Sequence, residues 1–173
     1  MKKITVYLSL SLSLSLSLSL LMIPFVAQSQ GLAKWMYPNG IPTLKQDSRD
    51  SDDFDFALAV TNASTGQVSI LDFRPNTDAE SSCYATHEYN NPQIRDISPA
   101  KIAGKYVKMI SVCLGQNSGI IQPKTQEGKK YLNGLVFSGA QVEIYLSDTK
   151  FISFPASDIE SMKKKLSELN SAM

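Results

Sequence analysis

The sequence predicts an α+β domain with a mainly antiparallel sheet, one internal helix and a C-terminal amphipathic helix. Three observations carry this. Apolar residues alternate with others at a period of two, as in Phe56, Leu58 and Val60 or in Val142, Ile144 and Leu146, the spacing of a strand with one buried face. Turn-forming clusters such as Asn62–Gly66 and Ser147-Asp148 separate these segments. The last stretch changes to a helical period, with Ile159, Met162, Leu166 and Leu169 on one side.

Ahead of these elements stands a leader. Lys2 and Lys3 precede six Ser-Leu pairs from Ser9 to Leu20, then Leu21-Met22-Ile23, Pro24 and Ala27-Gln28-Ser29. A basic start, an apolar middle and small residues before a cut make a secretory signal, placed here at residues 1–29. An uncleaved anchor is the alternative, but serine fills half of the central section and no basic cluster follows it. The chain is therefore read as exported, to a bacterial periplasm or the medium, with no stable membrane anchor after cleavage. Removal of the leader leaves 144 residues, enough for one domain with its own core, and 15 basic against 16 acidic side chains. Such a balance gives no general attraction to nucleic acid or to anionic membranes.

The elements follow in order. Residues 30–53 read as an irregular N-terminal arm and 54–173 as the single α+β domain. Phe54–Val60 and Val68–Phe73 read as a hairpin around Asn62–Gly66. Residues 74–82 read as a loop, 83–89 as a short strand and 90–103, with Pro92 and Pro99, as connection. Lys105–Leu114 reads as a strand that Gly115–Gly119 interrupts. Thr125 is placed to cap a helix over 126–137, with Tyr131, Leu132, Leu135 and Val136 on one side. Asn133-Gly134 is also a hairpin signal, but the stop at Ser138-Gly139 favours the helix. Gln141–Leu146 and Phe151–Phe154 are strands. Ser157 with Glu160 forms a capping box for the final helix, whose Lys163, Lys164 and Lys165 lie off the apolar stripe. The core is predicted at Phe56, Leu58, Val60, Val68, Ile70, Ile110, Val112, Val142, Ile144, Leu146, Leu166 and Leu169.

Candidate chemistry is sparse. Cys83 and Cys113 are the two cysteines, and in an oxidising compartment they form one disulfide. Closing a loop of that length stabilises by about 3.5 kcal/mol in the chain-entropy account. His87 is the single histidine, so a hydrolase using histidine with a serine must use it; this is the alternative function. The acidic run Asp47, Asp50, Asp52, Asp53 and Asp55 is not an EF-hand loop, because Phe54, Asp55 and Thr61 occupy positions needing an oxygen ligand, Gly and Glu. Neither a metal nor another cofactor is expected. Ser98–Lys101 and Ser161–Lys164 match S-x-x-K without its companion motifs. These features point to a non-catalytic binding module for a protein or a glycan, with oligomer formation open. Trp35, Met36 and Tyr37 are candidate partner-binding residues, together with Asp50, Asp52 and Asp53, which would steer a basic partner. The competing reading of Trp35–Tyr37 is a cap folded onto the domain.

The order strand, strand, strand, helix, strand, strand, helix resembles a small OB-like barrel. Within it, the segment Tyr131–Tyr145, a helix ending in Ser138-Gly139 followed by Val142-Glu143-Ile144-Tyr145, is similar to the binding subunits of some secreted bacterial AB-type toxins. That resemblance implies signal-bearing, disulfide-containing OB-fold domains that form pentameric rings and bind host glycans. It matches no sugar-contact residue to this chain.

Overall fold

The computed structural model describes residues 31–47, 54–84, 93–115 and 118–171. The leader therefore lies outside the described residues; Gly31–Met173 is one compact unit. Eight strands form one sheet: β1 (Thr43–Lys45), β2 (Phe56–Asn62), β3 (Gln67–Asp72), β4 (Gln93–Ile102), β5 (Lys105–Gly115), β6 (Ser118–Pro123), β7 (Val142–Tyr145) and β8 (Phe151–Phe154). Helix α1 (Gln126–Phe137) follows β6, and α2 (Ile159–Ser171) ends the chain.

The strand order is β1-β2-β3-β6-β5-β4-β7-β8, and every pairing is antiparallel. The two edges approach each other. Just past β1, the Asp47 N–H donates to Ser153 O of β8 at 2.7 Å. The result is a nearly closed, small OB-like barrel of the α+β class. Hairpin β2–β3 turns at Asn62–Gly66, and the Asn62 carboxamide accepts from Thr65 N–H at 3.0 Å, a local side-chain turn.

The described part of the N-terminal arm, residues 31–47, is tied to the domain and contributes one short strand. Trp35 lies in the core, Met36 bridges to Thr43, and Ala33 bridges to Ser157 beside α2. With β1 it forms part of the wall. The sequence carries little sign of this, because β1 is only three residues long.

Residues 90–103 are not mere connection either, since Gln93–Ile102 is β4. Its proline sits where the pairing with β5 slips between Ile97 and Ala100. A bulge is one of the few places where a strand admits proline, which cannot donate to the ladder. The short strand expected at 83–89 is not seen in its described part, where Cys83 and Tyr84 lie in turns.

Strand β5 has the opposite facing to the expected one. Val107, Met109 and Cys113 are buried, whereas Ile110 and Val112 are half-buried on the outer side. Both faces of β5 are apolar, so alternation alone does not choose between them. Leu146 and Leu169 are also only half-buried. The other predicted core residues are buried.

The helix prediction at 126–137 holds. Thr125 caps α1 by accepting from Gly128 N–H at 3.1 Å. Asn133 turns no hairpin; its carboxamide oxygen accepts from Val68 N–H at 3.0 Å and ties α1 to β3. Gly128 lets α1 approach the wall, since a Cβ there would meet Val107 Cγ1 at 2.8 Å. At α2 the cap falls one residue later than expected. Asp158 accepts from Ser161 N–H at 3.1 Å, while Ser157 is buried and bonds Gly139 O through its backbone N–H.

Ile144 is fully buried on β7. Ile144→Ala is expected to cost roughly 2–5 kcal/mol in denaturant unfolding, the range for a large-to-small core change; a loss below about 1 kcal/mol would mean that the strand faces outward.

Candidate binding surfaces

One mouth of the barrel is organised by a buried carboxylate. Asp72 ends β3 with its side chain fully buried. Its Oδ1 accepts from Arg74 Nε at 2.9 Å and from Arg74 N–H at 3.1 Å. Its Oδ2 accepts from Arg74 Nη2 at 2.9 Å, Ser82 N–H at 2.8 Å and the Ser82 hydroxyl at 2.7 Å. Burial alone pushes a carboxyl pKa up, but the hydrogen bonds from Arg74 and Ser82 outweigh it and hold Asp72 below the ordinary range. Arg74 also donates to Glu80 O and lies 4.8 Å from the centre of the Phe56 ring.

These bonds fix the loop that follows β3. Ser82 lies over Gly119 of β6, where any Cβ would collide with it. Gly119 is in register with Asp72 on one side and Cys113 on the other. The next residue, Cys83, forms the predicted disulfide with Cys113. The segment 81–83 thus crosses three strands, held at one end by Asp72 and at the other by the disulfide. Beside it opens a pit of about 420 Å³ whose lining includes Arg95, Ser82, Ser111, Ile121 and Leu146. Arg95 donates to Ser82 O at 2.6 Å, and its Nε is buried with no partner among the described residues.

Two further surfaces lie on the outside of the wall. The first is an aliphatic face. Leu71, Ile120, Val112 and Ile94 stand in register across β3, β6, β5 and β4. Ile94 is 69% exposed, and nearby Leu114 and Phe73 are 51% and 38% exposed. The second is an aromatic row. Phe151, Tyr145, Lys101 and Tyr106 stand in register across β8, β7, β4 and β5. Tyr106 is 78% exposed, and the Tyr145 and Phe151 rings lie 4.8 Å apart. Tyr106 and Tyr131 help to line a groove of about 530 Å³, with Lys105, Lys108 and Glu127 around it. The two surfaces are about 20 Å apart, the span of the six residues from Tyr106 to Val112 on β5.

Of the sequence-predicted partner-binding residues, Trp35, Met36 and Tyr37 are described. Trp35 is 6% exposed in the core, which is the cap position, and its Nε1 has no partner among the described residues. Met36 is 39% exposed and Tyr37 is half-buried. Burial raises the Tyr37 pKa, with Asp158 and Glu168 adding to it against the opposing charge of Lys165. Asp50, Asp52, Asp53 and His87 lie outside the described residues. Asp55 pairs with Lys150 at 3.2 Å. Ser98 and Lys101 of the first S-x-x-K lie on extended β4, where three residues span about 10 Å. Among the described residues no group of three metal-ligating side chains occurs, and no helix is long and apolar enough to cross a membrane. The aliphatic face and the aromatic row were missed by the sequence reading. Finding them required the register of β4, which periodicity alone hid.

No family model, curated protein or solved structure matches the chain.

Asp72→Asn removes the carboxylate closest to the buried Arg74 guanidinium, leaving it the more exposed Glu80 at 3.5 Å and Asp78 at 3.9 Å, and is expected to cost roughly 3 kcal/mol, the lower end for a broken buried pair, in urea unfolding at pH 7. The folded pKa of Asp72 is depressed, so its contribution is complete above the unfolded pKa near about 4 and is lost as pH falls through the lower folded value. The wild type should therefore show an acid limb in stability below about pH 4 that is reduced in the variant. An unchanged limb would remove Asp72 from this role.

Proposed function

We propose that the chain is an exported, non-catalytic binding module whose partner is a protein seated on the outer face of β3, β6, β5 and β4. The observation that carries this is the aliphatic row Leu71, Ile120, Val112 and Ile94, flanked by Phe73 and Leu114. Burying these side chains in the barrel is not an option, because Val68, Ile70, Met109, Cys113 and Ile121 already fill its inner side. Contiguous exposed apolar surface of this kind marks interaction sites. The leader at 1–29 and the disulfide support export. A glycan, the ligand class that the toxin-subunit resemblance implies, would find few polar groups among these aliphatic side chains, and an apolar protein surface fits them better.

The test is a pull-down from periplasm and culture medium using wild type and an Ile94→Lys, Leu114→Lys double variant. Both substitutions are exposed, so thermal unfolding should be unchanged. A partner retained by wild type and weakened by about 2 kcal/mol or more in the variant supports the reading. A variant that keeps every wild-type partner removes this face as the site. Intact mass of the exported protein should lack residues 1–29; a leader still attached would remove cleavage and export from the reading.

A further inference from the structure

We propose that the outer surface around Tyr106 docks on an anionic phospholipid bilayer. Its geometry is that of a protruding ring with ammonium groups beside it, at the end of an aromatic row. Tyr106 is the most exposed large hydrophobic side chain among the described residues, at 78%. Lys101 stands opposite it on β4, Lys105 precedes it, and Lys108 follows two positions on along the same face of β5. None of the three lysines forms an ion pair among the described residues. Lys105 instead lies 4.9 Å from the centre of the Tyr131 ring. The row continues past Lys101 to Tyr145 and Phe151, which are 45% and 49% exposed. It spans four strands, about 14 Å at ordinary strand spacing.

The charge around Tyr106 is net basic. Among the described residues, Glu127 is the acid that shares its groove, and Glu143 lies farther along, two residues before Tyr145 on the same face of β7. Lys101, Lys105 and Lys108 therefore stand against Glu127 and Glu143, while Asp96, farther along the same face, is paired with Lys124 at 2.7 Å, although the chain as a whole is almost neutral. Tyr and Lys are both amphipathic, with an apolar body or stem and a polar tip. Tyr106, Lys101 and Lys108 share one outward face, with Lys105 at its edge toward α1, and together they match the bilayer interface, where rings enter the headgroup layer and lysines meet lipid phosphates. A bilayer also accepts rings that project from a barrel wall without needing a concave surface to match them. The dispersed lysines supply charge with no fixed hydrogen-bonding fork of the kind that selects one small anion.

The experiment uses the chain from Gln30 onward, so that the apolar leader cannot itself insert. It measures co-sedimentation with vesicles of equal parts phosphatidylcholine and phosphatidylglycerol, and with phosphatidylcholine vesicles alone. Binding to the mixed vesicles, weakening with salt, is expected, with little binding to the neutral ones. Tyr106→Ser with Phe151→Ser should weaken it about tenfold or more, as loss of a buried ring does. Lys101→Glu, Lys105→Glu and Lys108→Glu together should weaken it on the order of a hundredfold or more. The Ile94→Lys, Leu114→Lys variant should bind vesicles as wild type does, which separates this surface from the proposed protein face. No binding to mixed vesicles, equal binding to both kinds, or indifference to the ring and lysine variants would overturn the proposal. So would ring-dependent binding to soluble heparin without binding to vesicles, which would make the surface a polyanion site.

Discussion

The buried carboxylate of Asp72 is the constraint on which the disulfide end of the barrel depends. A carboxylate taken out of water costs several kcal/mol unless its oxygens are satisfied, and here five donor contacts from Arg74 and Ser82 satisfy it. Those donors come from residues two and ten positions further along the chain. Meeting their geometry folds residues 74–82 back over the mouth and brings Cys83 to Cys113. The carboxylate and the disulfide thus constrain the same loop by different means. The disulfide restricts the unfolded chain, whereas Asp72 specifies which folded arrangement of the loop is paired. Gly119 completes the arrangement by leaving room for Ser82. In a barrel this small, fixing one end also fixes the relative positions of β3, β6 and β5, and with them the outer rows that cross those strands.

Much of the fold was legible wherever one physical preference acted alone. The β2–β3 hairpin, β7, β8 and α2 each show a single period bounded by turn or cap residues, and at α1 the stop at Ser138-Gly139 decides against the competing hairpin signal of Asn133-Gly134. The cysteine pair is legible because two cysteines allow one intramolecular pairing. Legibility failed where two preferences competed. Pro92 and Pro99 argued against a strand at 93–102, yet the bulge between Ile97 and Ala100 absorbs Pro99. Lys105–Leu114 reads as a strand from sequence, but with Val107 and Met109 on one face and Ile110 and Val112 on the other, its facing does not follow from hydrophobicity. The facing comes instead from long-range partners: Gly128 against Val107, and Cys83 against Cys113.

The same limit hid the candidate surfaces. Trp35 stands out in sequence as the single tryptophan in a segment without periodicity, but the barrel uses it as core. Tyr106, Tyr145 and Phe151 are separated by up to 45 positions in the chain, and nothing local associates them. They form a row because β4 pairs with both β5 and β7. Missing β4 as a strand therefore meant missing both outer surfaces. Net charge concealed the lysine cluster in a similar way, since a sum over the chain carries no information about which residues the sheet places side by side.

A barrel wall has an inside and an outside, and the two have separate physical requirements. Inside, closure demands close-packed apolar groups, which Phe56, Leu58, Ile70, Ile102, Met109, Ile144 and Phe154 provide. Outside, where neither helix covers the wall, solvation favours polar or charged side chains. β-Propensity explains why Ile, Val, Tyr and Phe suit a strand, but threonine would serve an exposed position nearly as well without presenting apolar surface to water. Ile94, Tyr106 and Leu114 are more than half exposed, so their apolar atoms gain little from folding. They also favour non-specific association whenever no partner covers them. Stability therefore accounts for the inner row of each strand and leaves the outer rows unexplained, and it is those rows that a functional reading of this chain has to account for.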